Sequence, residues 1–189
     1  MITVGIIGGG ISGSLAANIL TKNNIETILI EKNYKIGVEH PTSLNAIDNW
    51  YKIYLIKQLK KVNIPIKKIY KSLWHSPSGN EFYLKFKRKP LFYLVKRGDR
   101  KESINRILLQ DAKKNGCKIY KNCKKTEIKK DNKSLEISSL VNGIKKTITV
   151  NAIINASRFS EKIKIPKENL GIVFGWEIIF KNCIDTSTV

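Results

Sequence analysis

Cysteine is scarce: Cys117, Cys123 and Cys183 are the three in 189 residues, odd in number and without CxxC spacing. This excludes a disulfide framework and the paired-thiolate zinc patterns, and it fits reduced thiols in a cytoplasmic protein. Histidine is scarcer still. His75 has no metal-binding partner nearby in sequence, and His40 is expected in a surface loop. No apolar run approaches the ~20 residues of a membrane-spanning helix. The first residues also lack the charged, apolar, small-residue order of a secretory signal. Repeats, linkers and low-complexity segments are absent as well.

Acidic residues are few, 15 Asp and Glu against 35 Lys and Arg, leaving a net charge of +20. Such an excess favours polyanionic neighbours: nucleic acid, anionic lipid or phosphorylated ligands. The lysines are nevertheless spread from Lys22 to Lys181 in a chain also rich in Ile and Asn. A general compositional bias gives the same appearance, so charge alone does not identify a partner. Hydrophobic residues make up 42% of the chain, as in ordinary globular domains.

Glycine is used unevenly. Four of the 12 fall at Gly8, Gly9, Gly10 and Gly13, inside "VGIIGGGISGSLAA". "ITVGIIG" has the character of a short buried strand, and "ISGSLAANILTKN" carries Leu15, Ile19 and Leu20 at helical spacing. Asn23 and Asn24 can provide a left-handed helix end, and "ETILIE" is a second buried strand. Strand, tight turn, helix and strand make a βαβ unit.

Further on, "SLNAIDNWYKIYLIKQLKKV" predicts an amphipathic helix from Leu44 to Val62. Its mix of Trp50, Tyr51 and Tyr54 with lysines is compatible with docking on an anionic bilayer, although an ordinary packing helix explains it too. "IYKSLWH" and "EFYLKF" flank "SPSGN" as paired strands, and "LFYLV" is another strand. "ESINRILLQDAKKNG" predicts a helix burying Ile104, Ile107, Leu108 and Ala112, with Gly116 just past its end. Strands follow in "KIYKNCKKTEI", "SLEISSLV" and "IKKTITV", the last two joined by the hairpin signal Asn142-Gly143. "AIINAS" and "IVFGWEIIF" are expected as further strands, the first of them buried.

Gly8-x-Gly10-x-x-Gly13 follows a strand and opens a helix, the context of a dinucleotide-binding fingerprint. Gly8 permits the tight turn, Gly10 lacks a Cβ that would strike a pyrophosphate, and Gly13 lets the helix lie against the sheet. The helix N-terminus then faces the phosphate charge. Glu31 closes the second strand, where an acid accepts the adenosine ribose hydroxyls and repels a 2′-phosphate, disfavouring NADP at this site. FAD or NAD fits.

"VGIIGGGISGSLAANIL…ETILIEKNYKIG" resembles the N-terminus of FAD-dependent oxidoreductases. "FYLVKRGDRKESINRILLQDAKKNGCKI" resembles the geranylgeranyl reductase family, with "SPSGNEFYL" before it and "AIINASRFS" after it in the expected order. The resemblance covers most of residues 1–165. It implies an α/β fold: a doubly wound, Rossmann-like FAD/NAD(P)-binding domain with inserted β-sheet segments. Residues 1–65 and 97–165 would form the FAD-binding domain, and 66–96 with 166–189 the strands of an incomplete substrate-binding sheet. Gly8, Gly10, Ile11, Ser12, Gly13, Glu31 and Lys32 would bind FAD, with Arg97 near the cofactor; no residue is assigned a catalytic role.

The implied activity is reduction of carbon–carbon double bonds in isoprenoid lipid chains, with NAD(P)H a candidate electron donor. Three departures stand out. The loop after Gly37 has no cysteine, "NASRFS" lacks the family's glycine, and the Gly-Asp segment that closes such FAD sites has no counterpart before Val189. The expectation is therefore a chain lacking the C-terminal half, a fragment or split gene product that needs a partner chain. It would be cytoplasmic, with peripheral association with an anionic membrane in view and nucleic acid not expected as a partner. The alternatives are a flavin-dependent monooxygenase or dehydrogenase of the same fold and, from another class, a non-catalytic basic nucleotide-binding module.

Overall fold

The computed structural model describes residues 2–36, 59–98, 100–130 and 135–157, and the backbone of 44–48. The chain divides into two compact units, Met1–Thr42 with Arg97–Lys164, and Ser43–Lys96 with Ile165–Val189.

The first unit is built on four parallel strands. β1 (Thr3–Ile7), α1 (Ile11–Lys22) and β2 (Glu26–Ile30) form the βαβ unit. β1 pairs with β2 on one side, with Gly5 opposite Ile28. The buried runs of β1 and β2 follow from their place at the middle of the sheet, where both faces are covered. α1 ends at Asn23, and Asn24 takes the left-handed conformation (φ 58°) expected of it.

In the second unit, β3 (Leu44–Asp48) pairs antiparallel with β7 (Phe92–Lys96), and β4 (Ile66–Ile69) pairs with the other edge of β7. The segment Leu44–Asp48 was expected to begin a helix and is a strand instead. Here a β partner for β7 outweighs the helical spacing of Leu44 and Ile47, since periodicity over so short a run is a weak signal. Residues 59–61 are helical, and Asn63 (φ 56°) ends that turn, its N–H donating to the Lys60 carbonyl. Residues 49–58, with Trp50, Tyr51 and Tyr54, lie outside the described residues. β5 (Lys71–His75) and β6 (Glu81–Lys85) form a separate hairpin around 76–80. Ile69, Leu94 and Val95 are buried within this unit.

Back in the first unit, Ser103 caps α2 (Ile104–Lys114), accepting from the Arg106 N–H at 3.3 Å. Gly116 (φ 94°) follows its last turn. The buried side chains of α2 include Leu109 and Asn105, while Ile107 is only half-buried, so the inward face is rotated from the expected one. β8 (Lys118–Tyr120) extends the parallel sheet beside β2. β9 (Cys123–Lys130), β10 (Leu135–Val141) and β11 (Ile144–Val150) form an antiparallel sheet. Asn142-Gly143 takes positive φ at both positions, the turn this dipeptide favours. β12 (Ala152–Asn155) returns to pair parallel with β1, giving the order β12-β1-β2-β8. β12 was expected to be buried. It is an edge strand of that sheet, and three of its four residues are exposed.

Two apolar layers flank the parallel sheet. Ile6, Leu29, Ala17, Leu109, Ala112 and Cys117 pack between the sheet and its helices. Ile30, Cys123, Ile137 and Val150 pack between the sheet and the antiparallel layer. Both layers converge on the ends of β1 and β2. Among the described residues no helix is long and apolar enough to cross a membrane, and no group of His, Cys, Asp and Glu could hold a metal ion.

Candidate functional site

At the C-terminal ends of β1, β2 and β12 the backbone leaves the sheet on three sides of one cleft of about 210 Å³. This is where open α/β sheets bind ligands. Gly8 donates to the Ile30 carbonyl at 2.8 Å and adopts φ 101°, which turns the chain from β1 toward α1. Ala156 donates to the Ile7 carbonyl at 2.8 Å and closes the opposite wall.

α1 begins at Ile11, with Gly10 as its N-cap; no side chain caps it and its first turn has no acidic residue. Ser14 N–H makes the first helical bond, to the Gly10 carbonyl at 2.9 Å. The N–H groups of Ile11, Ser12 and Gly13 therefore carry the positive end of the helix dipole with no acidic side chain of their own turn beside them. No atom lies within 4 Å of the position a Cβ on Gly10 would take, so the space above it is open. Gly13 is different: its hydrogen faces the Gly8 carbonyl oxygen. The buried Ser14 hydroxyl fixes the turn from inside, donating to the Gly9 carbonyl at 3.0 Å.

Glu31 is buried beneath the turn. Its carboxylate accepts the Gly9 N–H at 2.6 Å through one oxygen and the Asn33 N–H at 2.8 Å through the other. A carboxylate has about four acceptor positions. Each oxygen therefore keeps capacity for one more donor, as a ribose diol requires.

Of the residues singled out in the sequence, Gly8, Gly10, Glu31, Lys32 and Arg97 line this cleft. Ile11, Ser12 and Gly13 do not; they belong to the first turn of α1. Sequence reasoning missed Asn105, Thr126, Ala156 and Ser157, which also line it. Asn105 is buried with its Oδ1 unpartnered, and the buried Nε of Arg97 is likewise unpartnered. An unsatisfied acceptor and an unsatisfied donor on one cleft fit a polar ligand that offers both. Asn105 could have been found from the Ser103-Ile104-Asn105 helix start, but Thr126 carries no sequence signal. A second, wider cleft of about 670 Å³, lined by Tyr34, Lys35, Gln110, Lys113 and Lys121 among others, shares none of these residues.

Burial pushes the Cys117 thiol up to about 11 and the Cys123 thiol upward as well, so neither is poised as a nucleophile. Asp111 on α2 bridges to α1. Burial opposes its charge, but Lys22 at 2.7 Å and the Asn18 side-chain amide at 2.7 Å hold its carboxyl below the usual value.

Residues 6–44 match the family model of the NAD(P)-binding Rossmann-like domain. No curated protein matches the chain. Among solved structures, a p-nitrophenol 4-monooxygenase from Pseudomonas putida aligns at 15% identity with a TM-score of 0.64, over 82% of this chain and 41% of that one. A geranylgeranyl bacteriochlorophyll reductase-like protein from Thermoplasma acidophilum aligns at 20% identity and TM-score 0.63, over 82% and 39%. A flavoprotein/dehydrogenase from Cytophaga hutchinsonii aligns at 18% and 0.61, over 82% and 39%. The chain spans about two-fifths of the length of these neighbours. The fold is therefore a Rossmann-like α/β fold, shared with these three proteins.

Proposed function

We propose that the first unit binds FAD across the glycine-turn cleft, and that the protein is a flavin-dependent oxidoreductase of the geranylgeranyl reductase kind. Its substrates would be carbon–carbon double bonds in isoprenoid lipid chains. The observation that carries the cofactor reading is the open space over Gly10 at an uncapped helix N-terminus, in one cleft with Glu31.

In this reading Gly8 and Gly10 cradle the pyrophosphate, Gly13 lets α1 lie against the turn, and the N–H groups of Ile11 and Ser12 direct the helix dipole toward the phosphate charge. Glu31 takes the ribose hydroxyls, with Lys32 beside it. Arg97 and Asn105 offer their unpartnered donor and acceptor to the same ligand. When bound, the flavin supplies two-electron redox chemistry; this chain supplies binding, orientation and a wall against water. NAD(P)H would be the electron donor, and strands from 66–96 would contribute to a substrate sheet completed by a partner chain; the strand expected in 166–189 lies outside the described residues. The motif run from Phe92 to Ile119 supports the reductase assignment, as does the likeness to the Thermoplasma protein.

A flavin monooxygenase or dehydrogenase is the second reading, favoured by equal likeness to the Pseudomonas monooxygenase. A basic nucleotide-binding module without catalysis is the third, resting on the net charge of +20.

The test is a side-by-side titration of the 189-residue protein with FAD and ADP. Both should bind with similar, modest affinity, and bound flavin should stay fluorescent, because the cleft offers contacts to the adenosine and pyrophosphate half. A partner chain should tighten FAD over ADP. Binding of RNA with strong salt dependence and no binding of either nucleotide would overturn the proposal. Productive reaction of the reduced, assembled protein with oxygen and an aromatic substrate, but with no alkene, would select the monooxygenase reading.

A further inference from the structure

The hairpin of β5 and β6 carries large apolar side chains that stand exposed among the described residues. Trp74 pairs directly with Phe82, and Ser72 with Leu84, so all four share one face of the ribbon; Ser72 is buried, and the three large side chains around it are exposed. Phe86 continues the ladder, its N–H donating to the Tyr70 carbonyl at 2.9 Å. Exposure is 58% at Trp74, 59% at Phe82, 43% at Leu84 and 49% at Phe86. Scattered apolar residues on a surface need no explanation, but a contiguous stripe with three aromatics does.

Charge says what covers it. At the open end of the ribbon, Lys87, Arg88 and Lys89 follow Phe86 directly, all exposed. On the opposite face Lys71 and Lys85 stand directly across from each other, a like-charge pair that costs stability unless an anion lies close. The hairpin strands carry a single acid, Glu81, and it stands at the turn end 3.3 Å from His75. Lysines that only guard an exposed strand edge would be spread along it. Here the cations gather at one end, beside the aromatics.

We infer that the β5–β6 hairpin is a docking surface for an anionic lipid bilayer, with the Trp74–Phe82–Leu84–Phe86 stripe in the headgroup boundary and the basic bend on the phosphates. Aromatic and long basic side chains divide their parts between these two layers. The surface differs from the 44–62 segment that sequence alone suggested. It does not depend on flavin binding.

Sedimentation of the full chain with vesicles tests it. Phosphatidylcholine vesicles containing phosphatidylserine should bind the protein, and pure phosphatidylcholine should bind it far more weakly. A K87Q/R88Q/K89Q variant should lose on the order of a hundredfold in affinity for the anionic vesicles. A W74S/F82S variant should lose more than tenfold while retaining its circular dichroism spectrum and its nucleotide affinity. A further variant, F86S, replaces it if the double variant misfolds. Absence of vesicle binding by the wild type, or equal binding to both vesicle types, overturns the inference without any variant. Binding of soluble polyglutamate as tight as that of vesicles, unchanged in W74S/F82S, would mark the surface as an electrostatic protein site and overturn it too.

Discussion

Gly13 sits so close to Gly8 that a Cβ on the former would overlap the carbonyl oxygen of the latter, whereas a Cβ on Gly10 would meet nothing within 4 Å. Two glycines of one motif thus have different physical duties. Gly13→Ala must move backbone against backbone and should destabilise the protein by about 2–3 kcal/mol. Gly10→Val should cost about 1 kcal/mol as an unfavourable helix cap. It should nonetheless reduce FAD and ADP affinity more than tenfold by filling the cradle. Urea denaturation and nucleotide titration of both variants check this; equal stability losses would show that Gly10 is a packing residue.

Glu31 joins the turn to the second strand through the Gly9 and Asn33 N–H groups. Glu31→Ala leaves the buried Gly9 donor and the part-buried Asn33 donor without their acceptor. FAD affinity should fall by about 1–3 kcal/mol, and stability should fall on a similar scale. Analogues lacking the ribose hydroxyls separate the two effects. They should bind wild type and variant more nearly alike than FAD does, and a uniform loss would confine Glu31 to holding the turn.

The Lys22–Asp111 contact makes stability acid-sensitive. The folded carboxyl lies below its ordinary value, so its contribution is present above pH ~4 and is lost as pH falls through the folded value. Asp111→Asn keeps an acceptor for Asn18 and loses the ion pair. It should cost about 0.5–1 kcal/mol at pH 7 and nothing by pH 2. Urea midpoints at the two pH values measure it, and a pH-independent difference would contradict the linkage.

Cys117 titrates in the other direction. Burial raises its folded value to about 11 from an ordinary 9, so the neutral thiol favours the fold below pH 9 and that advantage fades as pH rises through 11. Thiol reagents at pH 8 should leave Cys117 unlabelled in the native protein and label it in urea, as read by peptide mass analysis. Rapid native labelling would mean that the helix–sheet layer opens easily.

Local signals in the sequence were legible where one or two residues decide the geometry. Asn142-Gly143 specifies its turn, Ser103 its cap, and Gly8 to Gly13 their strand-turn-helix passage. The segment from Leu44 shows the opposite case. Its spacing suits a helix, but β7 (Phe92–Lys96) pairs with it from far along the chain, and no pattern within the segment announces that partner. The cleft divides in the same way. The glycines and Glu31 lie within one βαβ unit, whereas Asn105, Thr126 and Ala156 reach the cleft only through the tertiary fold.

The pairing of β12 with β1 sets a schedule for synthesis. A Cβ on Gly8 would lie 2.7 Å from the Ala156 carbonyl oxygen, so the cleft gains that wall only when the chain has been made past that point. At ~5–20 residues per second a ribosome needs many seconds to deliver it. Through that interval the glycine turn is already out of the tunnel with the β12 side of β1 unpaired, and such an edge recruits other strands. The lysine-rich stretch between them emerges meanwhile and keeps nascent chains apart by charge. The cleft is thus among the last parts of the first unit to be completed, although its glycine turn is among the first residues translated.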